Sequence, residues 1–126
     1  MDVTFYKCAH CGNVAIKPWD AGVPLVCCGE KMEALVANTT DAATEKHVPV
    51  VSVDGSNVHV EVGSTLHPMT EEHLIAFVVL VTEKGYQVAQ LTAADEPKAD
   101  FAVAAGDAPV KVYEYCNLHG LWVAEI

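Results

Sequence analysis

The chain has 126 residues, 52% of them hydrophobic, and sets seven lysines and no arginine against seventeen acidic residues, for a formal charge of −10. The apolar content excludes a disordered chain, and no uninterrupted apolar run approaches the roughly 20 residues needed to cross a bilayer, so no membrane partner is expected. Scattered lysines in so acidic a chain also exclude a phosphate-backbone partner, and with it nucleic acid.

Residues 1–36 contain Cys8, Cys11, Cys27 and Cys28, with glycines beside them and only short apolar pieces between. A unit of this size cannot bury enough surface to offset the chain entropy lost on ordering, so a metal or disulfides must hold it. Met1 to His10 shows no apolar segment with a cleavage site, and a cytoplasmic location is expected. There, an odd number of cysteines, five, fits metal ligation better than two bridges and a stray thiol.

The polar stretch Asn38 to Thr44 reads as a connection to a second unit, 37–126. From His47 onward the pattern changes to short β-type runs. Val50 to Val53 ends at Asp54-Gly55, a hairpin signal, and the return run alternates Val58, Val60 and Val62 against His59 and Glu61, which predicts a solvent-facing His59. Leu74 to Val81 is nearly all apolar and β-branched, as a strand buried on both faces requires. Further strands are predicted at Tyr86 to Leu91, Phe101 to Ala104, Val110 to Tyr115 and Leu121 to Ala124. The fold class is therefore mainly β: a small metal-binding domain followed by a seven-stranded, immunoglobulin-like sandwich, with no convincing amphipathic helix. Trp122 and Phe77 read as core residues.

In Cys8-Ala9-His10-Cys11-Gly12, two residues between the thiols let both sulfurs turn toward one ion. Cys27 and Cys28 then follow as an adjacent pair. Four thiolates suit tetrahedral zinc or iron, and His10 is expected to face solvent because the thiols already fill four positions. A structural zinc ribbon usually repeats the two-residue spacing in its second pair, and this chain does not. The pattern Cys-x-x-Cys-Gly followed by Cys-Cys-Gly resembles desulforedoxin and the matching N-terminal domain of desulfoferrodoxin. That resemblance implies a rubredoxin- or desulforedoxin-like domain with one electron-transfer iron held by four cysteines.

Five more candidate ligands, His47, His67, His73, Cys116 and His119, occur in Glu45-Lys46-His47-Val48-Pro49, His67-Pro68-Met69-Thr70-Glu71-Glu72-His73 and Cys116-Asn117-Leu118-His119-Gly120. These three segments resemble the motifs of the second iron centre in superoxide reductases. Four imidazoles can ring a divalent iron, a thiolate from Cys116 can take one axial position, and the opposite position stays open for a small ligand. A thiolate there donates electron density, which favours electron transfer to an oxygen species. The resemblance implies reduction of superoxide to hydrogen peroxide at a four-histidine, one-cysteine iron, re-reduction by a donor such as rubredoxin, and a homodimer. It further implies that Lys46 attracts the anion and that Glu45 binds the oxidised iron once product has left.

After Leu35 there are four lysines against thirteen acidic residues, and Lys46 is the only lysine between Lys31 and Lys84, so it would locally offset a field that repels superoxide. The chain departs from the family at Leu74, where an aromatic residue often follows the second clustered histidine. A copper or zinc protein without catalysis is the competing reading, because Cys116-x-x-His119 also fits blue-copper sites. Those sites use two histidines, whereas four are on offer here.

Overall fold

The computed structural model describes residues 2–126, which divide into two compact units, Asp2–Val36 and Ala37–Ile126. In the first, strand β1 (Phe5–Lys7) lies between β2 (Val14–Ile16) and β5 (Glu33–Ala34). A separate hairpin joins β3 (Val26–Cys27) to β4 (Glu30–Lys31) through Cys28 and Gly29. Val3, Phe5 and Cys8 are the buried core of this unit, far too little apolar surface to order its backbone unaided. Lys17 reinforces it by bonding Asp20 and the Val23 carbonyl, with its ammonium over the Tyr6 ring.

The second unit is a two-sheet sandwich of seven strands. A single helical turn, α1 (Thr44–His47), leads into β6 (Pro49–Asp54), which pairs with β7 (Asn57–Val62) around the Asp54-Gly55 turn. Strand β10 (Lys98–Ala102) flanks β7 on its other edge. The second sheet runs β12 (Gly120–Glu125), β11 (Pro109–Cys116), β8 (Ile75–Thr82), β9 (Tyr86–Gln90). The chain changes sheets after β7, β9 and β10, the crossing pattern of an immunoglobulin-like sandwich.

Period-two alternation sets the core. Val58, Val60 and Val62 of β7 and Ala99 and Phe101 of β10 meet Ile75, Val78 and Leu80 of β8 and Val112 and Cys116 of β11. The outward residues of β7 are polar: His59 bonds Asp100 across the ladder at 2.6 Å and Glu61 at 3.3 Å, and Lys98 reaches Glu61. These pairs accompany the start of β10 at Lys98 rather than at Phe101, and it ends at Ala102 rather than Ala104 because Ala102 faces Asn57, the first residue of β7. Charged cross-strand partners keep polar residues in the ladder, where an apolar pattern does not reveal them. Strand β8 occupies the middle of its sheet and Val78 to Thr82 are buried without a break, as the apolar run predicted.

One inward position of β11 breaks the pattern. Glu114, between Val112 and Cys116, is fully buried, and neither of its carboxylate oxygens has a hydrogen-bond partner among the described residues. Burial pushes its carboxyl up to about 9, so the folded protein keeps it protonated where the unfolded chain, near 4.5, does not. Unfolding therefore releases a proton across that window, and stability falls as pH rises from about 4.5 to about 9. The slope from such a group is at most about 1.4 kcal/mol per pH unit. Glu114→Gln, which cannot ionise, is expected to flatten the fall in melting temperature between pH 5 and 8. Parallel profiles for variant and parent would show that Glu114 ionises in the folded state.

Candidate metal centres

Antiparallel pairing brings several strand ends to one end of the sandwich. Pro49, at the start of β6, faces Val62, at the end of β7, and Cys116, at the end of β11, faces both Ile75 and Gly120. His47 precedes β6, His67 and His73 lie on the crossover from β7 to β8, and Cys116 and His119 flank the β11–β12 turn. One donor atom from each of the five lies within 4.8 Å of the others. The imidazoles close a ring in the order His47, His67, His73, His119, each meeting the next edge-on at centroid distances of 4.5 to 5.0 Å. The Cys116 sulfur sits 3.4 Å from His67 Nε2 and 3.8 Å from His119 Nδ1.

The surrounding bonds fix which nitrogen faces inward. Nδ1–H of His47 donates to the Ala43 carbonyl at 2.7 Å, and Nδ1–H of His67 to the Pro68 carbonyl at 2.6 Å, which leaves both Nε2 lone pairs for the centre. His119 instead turns Nδ1 inward, 3.1 Å from His47 Nε2. His73 Nε2 is buried with no hydrogen-bond partner among the described residues, an orphan that a metal ion would satisfy. Burial lowers the pKa of His47 and His73 and brings His67 down to about 4, so these rings are held neutral, while burial pushes the Cys116 thiol up. Neutral imidazoles and a thiol that needs a cation in order to ionise make a donor set suited to a divalent transition metal.

Trp122 belongs to the core, as its apolar neighbours predicted, but it also braces two of the donors. Its ring stacks on His47 at 5.0 Å, and its indole N–H donates to the His119 carbonyl at 3.1 Å. Phe77 stacks on Tyr115 at 5.3 Å. Glu45 and Lys46 lie exposed on α1, where the polar run Thr44-Glu45-Lys46-His47 closes a single turn through the Val48 N–H to Thr44 O bond. The Lys46 charge is felt at both His47 and His73 and opposes their protonation.

In the first unit, Cys8, Cys11, Cys27 and Cys28 form a second cluster, again within 4.8 Å of one another. The tight turn after Cys8 points the Cys11 N–H at the Cys8 sulfur, and this bond, with that from His10, lowers the Cys8 thiol to about 6. Crowding by the Cys11, Cys8 and Cys27 sulfurs pushes Cys28 up to about 12. Four thiolates this close repel one another unless a cation joins them. The adjacency of Cys27 and Cys28 is achieved by placing Cys28 in the left-handed region at φ 52°, followed by Gly29 at φ 76°, the positive φ pair of a type I′ hairpin turn. Cysteine rarely takes that conformation, and ligation supplies the reason to hold it there. His10 stays exposed and pairs with Glu30 at 3.1 Å.

Gly63 seats α1 against β7. A Cβ at Gly63 would lie 2.7 Å from the Glu45 carbonyl oxygen and 2.9 Å from that of Val48, both backbone atoms that cannot swing aside. The same Glu45 carbonyl accepts the Thr65 N–H at 2.9 Å, which ties the two segments together. Gly63→Ala is expected to cost about 1–3 kcal/mol through overpacking and to displace His47. Thermal unfolding with metal analysis checks this: the variant should melt lower and retain less metal at the histidine centre, with the four-cysteine centre unaffected.

A family model described as Desulfoferrodoxin matches residues 39–125. Desulfoferrodoxin of Syntrophotalea carbinolica is 45% identical over 95% of this chain and 94% of its own length, and that of Clostridium acetobutylicum is 44% identical over 99% and 98%. Among solved structures, the superoxide reductase from Treponema pallidum superposes with a TM-score of 0.84 at 41% identity, covering 99% of this chain and 100% of that one. A superoxide reductase (1Fe-SOR) from Giardia intestinalis covers 66% of this chain and 98% of its own, with a TM-score of 0.57 at 33% identity. With its donor clusters and its sandwich matched along nearly the whole length, this chain belongs to the desulfoferrodoxin family.

Proposed function

We propose that the chain is a superoxide reductase whose histidine-cysteine centre holds iron. Bound there, the iron supplies one electron to superoxide, which with two protons becomes hydrogen peroxide, and an external donor restores the electron. The closed ring of four imidazoles beside the Cys116 sulfur carries this reading, together with full-length similarity to the Treponema pallidum superoxide reductase. In it, His47, His67, His73, His119 and Cys116 are the metal ligands. The carbonyl bonds at Ala43 and Pro68 hold two rings in the ligating tautomer, and the stacked Trp122 keeps His47 from turning. Glu45 and Lys46 act from the exposed turn α1: Lys46 draws the anion in, and Glu45 carries the carboxylate that occupies the site after product leaves.

The same reading divides the chain into a four-cysteine iron domain, 1–36, which passes electrons, and a catalytic sandwich, 37–126. Rubredoxin is the proposed donor, the cytoplasm the proposed compartment, and a homodimer the proposed assembly. Large apolar side chains left exposed on the first unit, Trp19, Val23, Val26 and Val36, support a pairing surface there. Metal analysis with optical spectra before and after reduction tests the whole reading, since zinc is colourless and ferric thiolate absorbs in the visible.

Substitutions at two positions separate the roles. Cys28→Ser is expected to remove the four-sulfur iron while the reduced second site still reacts with superoxide; abolition of that reaction would show that the centres do not work separately. Lys46→Ala should slow the second-order reaction with superoxide by about 10-fold at low salt and flatten its salt dependence, with iron content and melting temperature nearly unchanged. Lys46→Arg should retain most of the rate, because attraction at a distance needs charge more than shape. Pulse radiolysis across a salt series reads both, and an alanine variant as fast as the parent at low salt removes the steering role.

A further inference from the structure

Strand pairing between β8 and β11 ends at Cys116 opposite Ile75, because beyond that point the backbone must turn back to set His119 beside Cys116. After one last backbone bond to Leu74, the chain cannot make this turn and also continue as a ladder partner for residues 72 and 73. The Asn117 side chain takes over the ladder. Its Oδ1 accepts the Leu74 N–H at 3.0 Å and its Nδ2 donates to the Glu72 carbonyl at 3.0 Å, while its backbone N–H donates to the Leu74 carbonyl at 3.3 Å. The carboxamide thus stands in for a peptide group and grips the chain on both sides of His73. Thr70 closes the remaining backbone groups of that histidine: its Oγ1 accepts the His73 N–H at 3.1 Å, and its N–H donates to the His73 carbonyl at 3.0 Å.

We propose that Asn117 is a positioning residue that holds His73 in register with Cys116 and His119, through a clamp between the two segments that supply these donors. The inference rests on the metal-centre reading given above and adds a residue outside the five donors. Asparagine is the residue the geometry requires. Aspartate keeps the acceptor for Leu74 but loses the donor and turns a negative oxygen toward the Glu72 carbonyl, serine is too short to span both groups, and alanine loses both bonds.

The test loads parent, Asn117→Ala, Asn117→Asp and His73→Ala proteins with iron under anaerobic conditions. It measures loss of ferrous iron from the histidine-cysteine centre to a chelator, and the visible and electron paramagnetic resonance spectra after oxidation. Residues that orient metal ligands typically change metal affinity roughly 10- to 100-fold. Asn117→Ala should lose iron faster by that factor and shift its spectra toward those of His73→Ala, with the four-cysteine spectrum unchanged. Asn117→Asp should shift in the same direction by less. A lower melting temperature with parental iron retention and parental spectra would overturn the proposal, since a merely structural asparagine predicts that pattern. If Asn117→Ala does not fold, the aspartate variant decides the matter, and a parental spectrum there also overturns it. A parent protein that binds iron but does not react with superoxide would overturn the proposed function and leave this ligand test standing.

Discussion

Crowding five metal-binding side chains into one end of a sandwich is the constraint on which the rest of this structure depends. Imidazole edges and a thiol packed within 4.8 Å of one another lose water without gaining ordinary hydrogen-bond partners, as the orphaned His73 Nε2 shows. Such a cluster is tolerable only if the backbone around it is held firmly and an ion repays the desolvation. Each histidine accordingly has its own brace: carbonyl acceptors for His47 and His67, the Thr70 turn for His73, and the Trp122 indole on the carbonyl of His119. Gly63 lets α1 approach closely enough for His47 to join the ring.

Electrostatics divides the sandwich into a neutral interior and an acidic exterior. Burial favours the uncharged forms of His47, His67, His73 and Cys116, and the same desolvation keeps Glu114 protonated two residues from the thiol. The remaining acidic residues sit in an excess that opposes the approach of an anion. Lys46 lies exposed beside His47, and its charge opposes protonation of both His47 and His73.

The first unit works under a different economy. With Val3, Phe5 and Cys8 as its buried core, it relies on the convergence of four sulfurs more than on apolar burial. The left-handed Cys28 is part of that arrangement, because a backbone conformation unfavourable to cysteine brings an adjacent pair of sulfurs onto one centre.

Much of this was legible from local pattern. Alternation in Val58-His59-Val60-Glu61-Val62 determined which face of β7 is buried, Asp54-Gly55 marked the hairpin, and the unbroken apolar run before Lys84 marked the central strand, because strand period and turn chemistry are properties of neighbouring residues. The donor candidates were visible for the same reason, each lying in a short motif. Only the tertiary structure decided what depends on distant segments meeting. Glu114 shares the inward phase of Val112 and Cys116, yet its charge reads as surface until the opposing sheet covers it. Asn117 reads as a turn residue until residues 72–74 arrive beside it, and Gly63 as an ordinary loop glycine until α1 packs onto it. The sequence by itself determined the strands, the turns and the kinds of donor; which strand ends face one another, and therefore which side chains brace the donors, was decided by long-range sheet pairing that no local pattern encodes.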